Sequence, residues 1–152
     1  MRPLEVFASA AFRDGKAGIG VVIRSAGQPV RMTRRTVRAG SRAEGAYRAL
    51  LHGVWKARGT GARRIRVFCD EPAVVDQIAG RAEVPGELVG LYLQTRALLN
   101  AYRWSSVEHL PRERNTEAAL AAMEALDQEV LEPSFELDDL DSLPLFSTSR
   151  TQ

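Results

Sequence analysis

The sequence predicts an α/β domain built on a five-stranded mixed sheet, with three antiparallel strands, then two parallel strands, and flanking helices. Two observations predict this class. Apolar residues in the first 40 positions form β-prone runs separated by turn residues, and from residue 41 helical spacing alternates with short β-prone runs. Because a helix joins the third strand to the fourth, that connection is a crossover and the sheet must be mixed.

The first three strands are predicted at residues 4–8, 19–24 and 29–39. Asp14-Gly15 follows the first run and is a hairpin signal, because both residue types tolerate positive φ. Gly27 and Pro29 separate the second strand from the third. Three sequential antiparallel strands are the simplest interpretation of this half of the chain.

The later elements follow from a change of period. Between Ser41 and Arg58 apolar residues recur every three or four positions, which predicts an amphipathic helix that Gly59 and Gly61 end. Two strands are then predicted at residues 64–69 and 104–110, and three helices at about 70–78, 86–102 and 112–129. The aromatic residues Tyr47, Trp55 and Trp104 fit core positions better than base-stacking positions.

Length and composition bound the function class. A chain of 152 residues and 16.7 kDa suffices for one ordinary domain, and its single cysteine excludes an internal disulfide framework. No apolar run approaches the roughly 20 residues of a membrane span, and the N-terminus lacks a secretory signal, so we expect a cytoplasmic protein. We expect one domain over residues 1–129 and an acidic, disordered tail over residues 130–152.

Charge is distributed unevenly along the chain. The net charge is +2, but residues 129–152 carry six acidic residues and one arginine, which leaves +7 on residues 1–128. A basic body is what a phosphate-binding surface requires. The composition therefore favours a nucleic-acid partner. The alternative is that the excess of arginine reflects the base composition of the genome.

Four strings, in this order, resemble the ribonuclease H family in its short form without the basic protrusion. They are AGIGVVIR (17–24), RAEGAYRALLHGVWKA (42–57), VFCDEPAVVDQI (67–78) and EHLPRERNTEAA (108–119), and the resemblance covers residues 4–128. It implies a ribonuclease H-like fold and cleavage of the RNA strand of an RNA/DNA hybrid. It also implies two Mg²⁺ (or Mn²⁺) ions held by four carboxylates, which clamp the attacking and leaving oxygens.

The resemblance assigns the four catalytic positions to Ser9, Glu44, Asp70 and Ala119. Only Glu44 and Asp70 are acids, so only they are candidate metal ligands, and Ser9 and Ala119 stand where the family has aspartate. The neighbouring acids do not compensate by spacing; Glu117, for example, lies roughly 200° around the helix from position 119. We therefore predict a degenerate active site.

The two retained acids also have structural explanations. Ser41 and Glu44 have the spacing of a capping box at the start of the first helix. Asp70 precedes Glu71-Pro72 and has the position of an N-cap for the next helix. His52, His109 and Cys69 are assigned to the scaffold, because no arrangement around them suggests a metal ligand or a nucleophile.

Candidate contacts to nucleic acid lie on the third strand and the start of the first helix. Gly40 and Ser41 stand where the family often places asparagines that contact the hybrid. The candidates are Arg31, Arg34, Arg35, Arg38, Ser41, Arg42 and Arg48. The alternative for each arginine is a solvated positive face.

The tail carries bulky apolar residues among acids. Leu143, Leu145 and Phe146 look like the peptides by which bacterial replication proteins dock into the sliding clamp. The alternative is that the tail folds back on its own domain or has no partner.

Three functions remain open from the sequence. The leading one is a ribonuclease H-like protein that binds an RNA/DNA hybrid or related duplex with lost or severely impaired cleavage. The second is an active hybrid endoribonuclease with a reduced metal shell. The third is a protein-interaction scaffold in replication or repair.

Overall fold

The computed structural model describes residues 2–128 and confirms the predicted order of elements. The strands are longer than predicted at the start of the chain, and two helices begin with a 3₁₀ turn, at Gly86–Leu88 and Arg112–Arg114. The elements are β1 Leu4–Arg13, β2 Lys16–Ser25, β3 Gln28–Arg38, α1 Arg42–Arg58, β4 Arg64–Cys69, α2 Pro72–Ile78, α3 Val89–Asn100, β5 Trp104–His109 and α4 Thr116–Gln128.

The sheet has the strand order β3-β2-β1-β4-β5. β1, β2 and β3 are antiparallel neighbours, whereas β4 lies parallel to β1 and β5 lies parallel to β4, as predicted. The turn between β1 and β2 is the predicted one, with φ of 52° at Asp14 and 76° at Gly15. β1 extends to Arg13 because it pairs with β2 along its whole length, and this pairing outweighs the weak strand propensity of its alanines.

The helices cover opposite faces of the sheet. α1 packs on β1 and β2, with Gly45 against Ala17 and Gly53 against Val21, and α2 and α3 lie beyond it. α4 packs on the other face of the sheet. It contacts the residues of β2 that alternate with those facing α1. Ser9 of β1 lies on the α4 face.

β2 and α4 approach each other unusually closely. A Cβ atom at Gly18 would lie 2.0 Å from the carbonyl oxygen of Ala122, and one at Gly20 would lie 2.2 Å from that of Ala118. The helix face turned to the sheet consists largely of alanines, so the two backbones are separated by almost no side-chain volume. The glycines of the AGIGVV string therefore set the position of α4.

The core confirms two assignments and corrects one. Tyr47 is fully buried and donates to Gln77 Oε1 at 2.8 Å, and Trp55 is partly buried against the core. Trp104 is not a core residue; it begins the edge strand β5 and is 40% exposed. The core prediction was wrong there because a strand end at a sheet edge is covered on one side only.

The tail lies outside the described residues, and so do Leu143, Leu145 and Phe146. The division at residue 129 therefore stays a prediction. No helix within residues 2–128 combines the length and apolar character that crossing a membrane requires.

His52 of α1 predicts that the domain loses stability in acid. Burial, then the nearby Arg35 and Lys56, lower the pKa of His52 to about 3. The unfolded chain, with a histidine pKa of about 6.5, binds a proton there that the folded chain does not, so stability falls as the pH drops from about 6.5 towards 3. We expect the contribution of His52 to fall by about 2–3 kcal/mol between pH 7 and pH 4.5.

The measurement is urea unfolding of His52→Gln and of the parent at both pH values. The pH-dependent loss should be smaller in His52→Gln by that amount. His109→Gln, at an exposed histidine, is the matched control and should keep the parent's loss. Equal losses in all three proteins would contradict the assignment.

Candidate active site

The predicted site positions Ser9 and Asp70 meet at one end of the sheet. β1 pairs with β4 up to Ala8 and Cys69, so Ser9, the next residue of β1, lies beside Asp70, the residue that follows β4. Ser9 is fully buried and its Oγ donates to Asp70 Oδ2 at 2.7 Å. The Asp70 side chain is only 2% exposed. A buried carboxylate of this kind requires donors from the protein.

Asn115 supplies a second donor to the same carboxylate. It lies just before α4, and its Nδ2 donates to Asp70 Oδ2 at 3.1 Å and to the Ala8 carbonyl at 3.0 Å. Its Oδ1 is buried and has no hydrogen-bond partner among residues 2–128. Asn115 thus joins β1, the end of β4 and the start of α4.

Arg112 brings a positive charge to this cluster. It lies in the turn before α4 and donates to the Ala10 carbonyl at 2.9 Å. The same nitrogen lies 4.0 Å from Asp70 Oδ1, and the Arg112 side chain is 33% exposed. Neither Arg112 nor the amide of Asn115 is among the predicted site residues, although both lie in the EHLPRERNTEAA string that resembles the ribonuclease H family.

Asp70 does not cap α2, so that prediction was wrong. The N-cap of α2 is Glu71, and its side chain makes no capping hydrogen bond. Asp70 is unsuited to the cap because its carboxylate faces Ser9 and Asn115 instead.

Glu44 lies in a separate hydrogen-bond network at the start of α1. Ser41 caps the helix as predicted, with its Oγ accepting from the Glu44 amide at 3.1 Å. The Glu44 carboxylate completes the cap one residue earlier than a capping box does, accepting from the Gly40 amide at 2.8 Å. It also forms an ion pair with Arg48 at 3.4 Å.

Position 119 offers no ligand atom. Ala119 is 7% exposed and lies one turn into α4, with its amide bonded to the Asn115 carbonyl. Glu117 pairs with Arg24, away from Asp70. No group of three or more His, Cys, Asp or Glu residues within 2–128 is arranged to hold a metal ion.

This donor set does not fit two divalent cations. Two Mg²⁺ ions bring a charge of +4 and require hard oxygen ligands, several of them carboxylates. Around Asp70 the chain supplies one carboxylate, a hydroxyl that donates to it, an amide, and the guanidinium of Arg112. The cluster therefore matches a hydrogen-bonded acid better than a two-metal cage.

The candidate nucleic-acid residues do not share one face. Because side chains alternate along β3, Arg31 and Arg35 point towards the α1 face, and Arg34 and Arg38 towards the α4 face. Arg34 pairs with Glu124 of α4. The end of β3, the N-cap and the first half of α1 carry Arg38, Ser41, Arg42 and Arg48.

Cys69 and His109 are neighbours in the β4–β5 pairing, but they form no nucleophilic site. Burial raises the pKa of the Cys69 thiol to about 12, so it stays protonated at neutral pH. His109 is exposed at the end of β5.

Known proteins and a family model resemble this chain over most of its length. The family model described as "Reverse transcriptase-like" matches residues 6–125. RNase H1 from the halophilic archaeon Halobacterium salinarum is 26% identical, with a TM-score of 0.79 over 84% of this chain and 99% of that chain. The N-terminal RNase H domain of Rv2228c from Mycobacterium tuberculosis is 32% identical, with a TM-score of 0.77 over 83% and 94% of the two chains.

Two further similar proteins show how much of a longer protein this chain matches and where the similarity concerns only the fold. The bifunctional protein Rv2228c of Mycobacterium tuberculosis is 33% identical over 116 residues, which are 74% of this chain and 32% of that protein. This chain therefore spans about a third of the curated relative's length. The LC11 RNase H1, solved in complex with RNA/DNA hybrid, is 21% identical with a TM-score of 0.76 over 82% of this chain and 97% of its own, and this similarity concerns the fold alone.

The Ser9–Asp70 hydrogen bond yields a stability prediction. Ser9→Ala leaves a buried carboxylate without one of its donors, so we expect a loss of about 1.5–3 kcal/mol in the free energy of unfolding. Ser25→Ala, at the exposed end of β2, is the matched control and should change it by less than about 0.5 kcal/mol. Urea unfolding measures both, and equal effects would show that the hydroxyl does not support Asp70.

Proposed function

The chain belongs to the reverse transcriptase-like family of ribonuclease H domains, and we propose that it binds RNA/DNA hybrids or related duplexes with severely impaired cleavage. The observation that supports impaired cleavage is the set of contacts made by Asp70. Its buried carboxylate already accepts from Ser9 and Asn115 and faces Arg112.

Electrostatics supports impaired cleavage. In a two-metal site the carboxylates offset the charge of the ions while a phosphate binds between them. Here a hydroxyl and a methyl group stand at positions 9 and 119, and the Arg112 guanidinium lies 4.0 Å from Asp70. A divalent cation entering this site meets fewer negative charges and one additional positive charge.

Binding of a hybrid is supported by the charge of the domain and its similarity to RNase H proteins. Arg38 and Arg42 are exposed at the end of β3 and the start of α1, and Arg48 lies six residues further along the helix, paired with Glu44. Exposed arginines at this junction suit contacts with phosphates, because each contact releases counterions. Phosphate contacts need no metal, so hybrid binding is separable from cleavage.

A second candidate function, an active hybrid endoribonuclease with a reduced metal shell, is favoured by one observation. Oδ1 of Asn115 is a buried oxygen without a hydrogen-bond partner in residues 2–128, and it belongs to the amide that contacts Asp70. An oxygen of this kind can serve as a neutral ligand for a single Mg²⁺ or Mn²⁺ ion. In this candidate Glu44 and Asp70 supply the charged ligands.

Docking of Leu143, Leu145 and Phe146 to a replication protein such as the sliding clamp stays a separate proposal. It rests on the sequence pattern of the tail.

Restoring the two missing carboxylates tests the proposal directly. We expect Ser9→Asp combined with Ala119→Asp to cleave a labelled RNA/DNA hybrid with Mg²⁺ at least about 100-fold faster than the parent, because it rebuilds the cage. Ser9→Asn with Ala119→Asn has nearly the same shape without the charge and should stay as slow as the parent.

The same variants show whether a difference in cleavage comes from metal binding or from a difference in folding. Mn²⁺ should raise the melting temperature of the Asp variant and leave that of the Asn variant unchanged, since only a folded site that binds the ion is stabilised. Efficient cleavage by the parent that Asp70→Asn abolishes would overturn the proposal in favour of the second candidate.

Hybrid binding has its own test at the junction between β3 and α1. Arg38→Gln with Arg42→Gln should reduce the slope of log affinity against log salt by about 1–2, because two phosphate contacts are lost. Arg66→Gln with Arg81→Gln removes the same charge from two exposed ion pairs away from this junction and is the control. Equal slopes in the two double variants, measured by fluorescence anisotropy, would remove this junction from the binding surface.

A further inference from the structure

The end of the sheet opposite Asp70 carries a second concentration of positive charge. β1, β4 and β5 begin there, with Arg64 paired to Trp104 in the β4–β5 ladder. Asp70 lies six residues beyond Arg64 along the chain, which corresponds to about 20 Å of extended strand. This end is therefore a surface separate from the candidate active site.

Three adjoining clefts line this end. The largest, of about 780 Å³, is bordered by Arg2, Arg63, Arg64 and Arg103. The second, of about 470 Å³, shares Arg63 and Arg103 with the first and adds Arg58. We call the surface formed by these five arginines the basic end. The third cleft, of about 390 Å³, continues it from Arg58 to Arg31 and Lys56.

The clefts of the basic end have no acidic residue in their lining. No aspartate or glutamate borders any of the three clefts in the described part of the chain. Some exposed arginines elsewhere lie against acids, as Arg66 does with Glu108 and Arg81 with Asp76. Positively charged concave surfaces concentrate anions.

Two indole rings lie among these cations. Trp104 is 40% exposed, and the Arg64 guanidinium lies 5.2 Å from its ring centroid. Trp55 lines the third cleft, with Lys56 Nζ 5.3 Å from its ring. Aromatic rings beside arginines in a positive groove are the usual platform for stacking unpaired bases.

We propose that the basic end binds single-stranded nucleic acid, with phosphates on Arg63 and Arg103 and a base stacked on Trp104. The clefts have the volume of small-molecule sites, which suits individual nucleotides better than the surface of a duplex. Only a single strand offers free base faces to an exposed indole. This site goes beyond the hybrid-binding proposal and does not depend on it.

The test measures fluorescence anisotropy of the full chain with a labelled oligouridylate of about 12 nucleotides, a length within the usual range of single-strand sites. Arg63→Gln with Arg103→Gln should weaken binding about tenfold and reduce the salt slope by about 1.4, since two single-strand phosphate contacts are lost. Arg13→Gln with Arg81→Gln, which removes the same charge from two exposed ion pairs away from the basic end, is the charge-matched control and should bind as the parent does.

A blunt RNA/DNA hybrid on the same variants distinguishes this proposal from the previous one. Arg63→Gln with Arg103→Gln should leave hybrid affinity within about twofold, whereas Arg38→Gln with Arg42→Gln should lower hybrid affinity and spare oligouridylate binding. Equal loss of both ligands in either variant would overturn the separation of the two surfaces.

Trp104 tests whether bases, and not charge alone, are recognised. Trp104→Leu should weaken oligouridylate binding about fivefold or more, and Trp104→Phe should retain most of it, because a ring remains to stack. Parent-like binding by Trp104→Leu, or an equal affinity of the parent for a polyglutamate peptide, would overturn the assignment to single-stranded nucleic acid. Unfolding curves of all variants verify that they are folded.

Discussion

The buried carboxylate of Asp70 is the constraint around which the rest of the domain is arranged. A negative charge that is almost inaccessible to water destabilises the fold unless the protein provides donors. Ser9 arrives on β1, and Asn115 and Arg112 arrive from the segment that leads into α4. The junction that joins the central strands to α4 is therefore also the candidate active site, and its chemistry and its stability depend on the same few contacts.

The two ends of the sheet present different chemistry to solvent. At the Asp70 end, some positive side chains are matched by acids, as Arg48 is by Glu44 and Arg13 by Asp127. At the basic end, the clefts have no acidic lining within residues 2–128. Positive charge therefore also lies on a surface that the candidate catalytic residues do not reach.

The order of strands and helices along the chain could be predicted from the sequence because period and turn residues are local signals, as at Asp14-Gly15. The role of Asp70 could be predicted only in part, since an acid before Glu-Pro has the same pattern whether it caps a helix or faces a neighbouring strand. Arg112 and the basic end could not be predicted from the sequence. Their partners come from distant segments, such as Ala10 for Arg112 and the segment near Arg63 for Arg103, and only the folded sheet brings them together.

The glycine pair of β2 positions α4 without using the residues of the candidate active site. Because Gly18 and Gly20 allow main-chain atoms of α4 to rest directly on the strand, the spacing at this junction is independent of the size of any side chain between them. The side chains at positions 9 and 119 take no part in this contact, so the docking of α4 and the polar contacts of Asp70 are encoded by different residues.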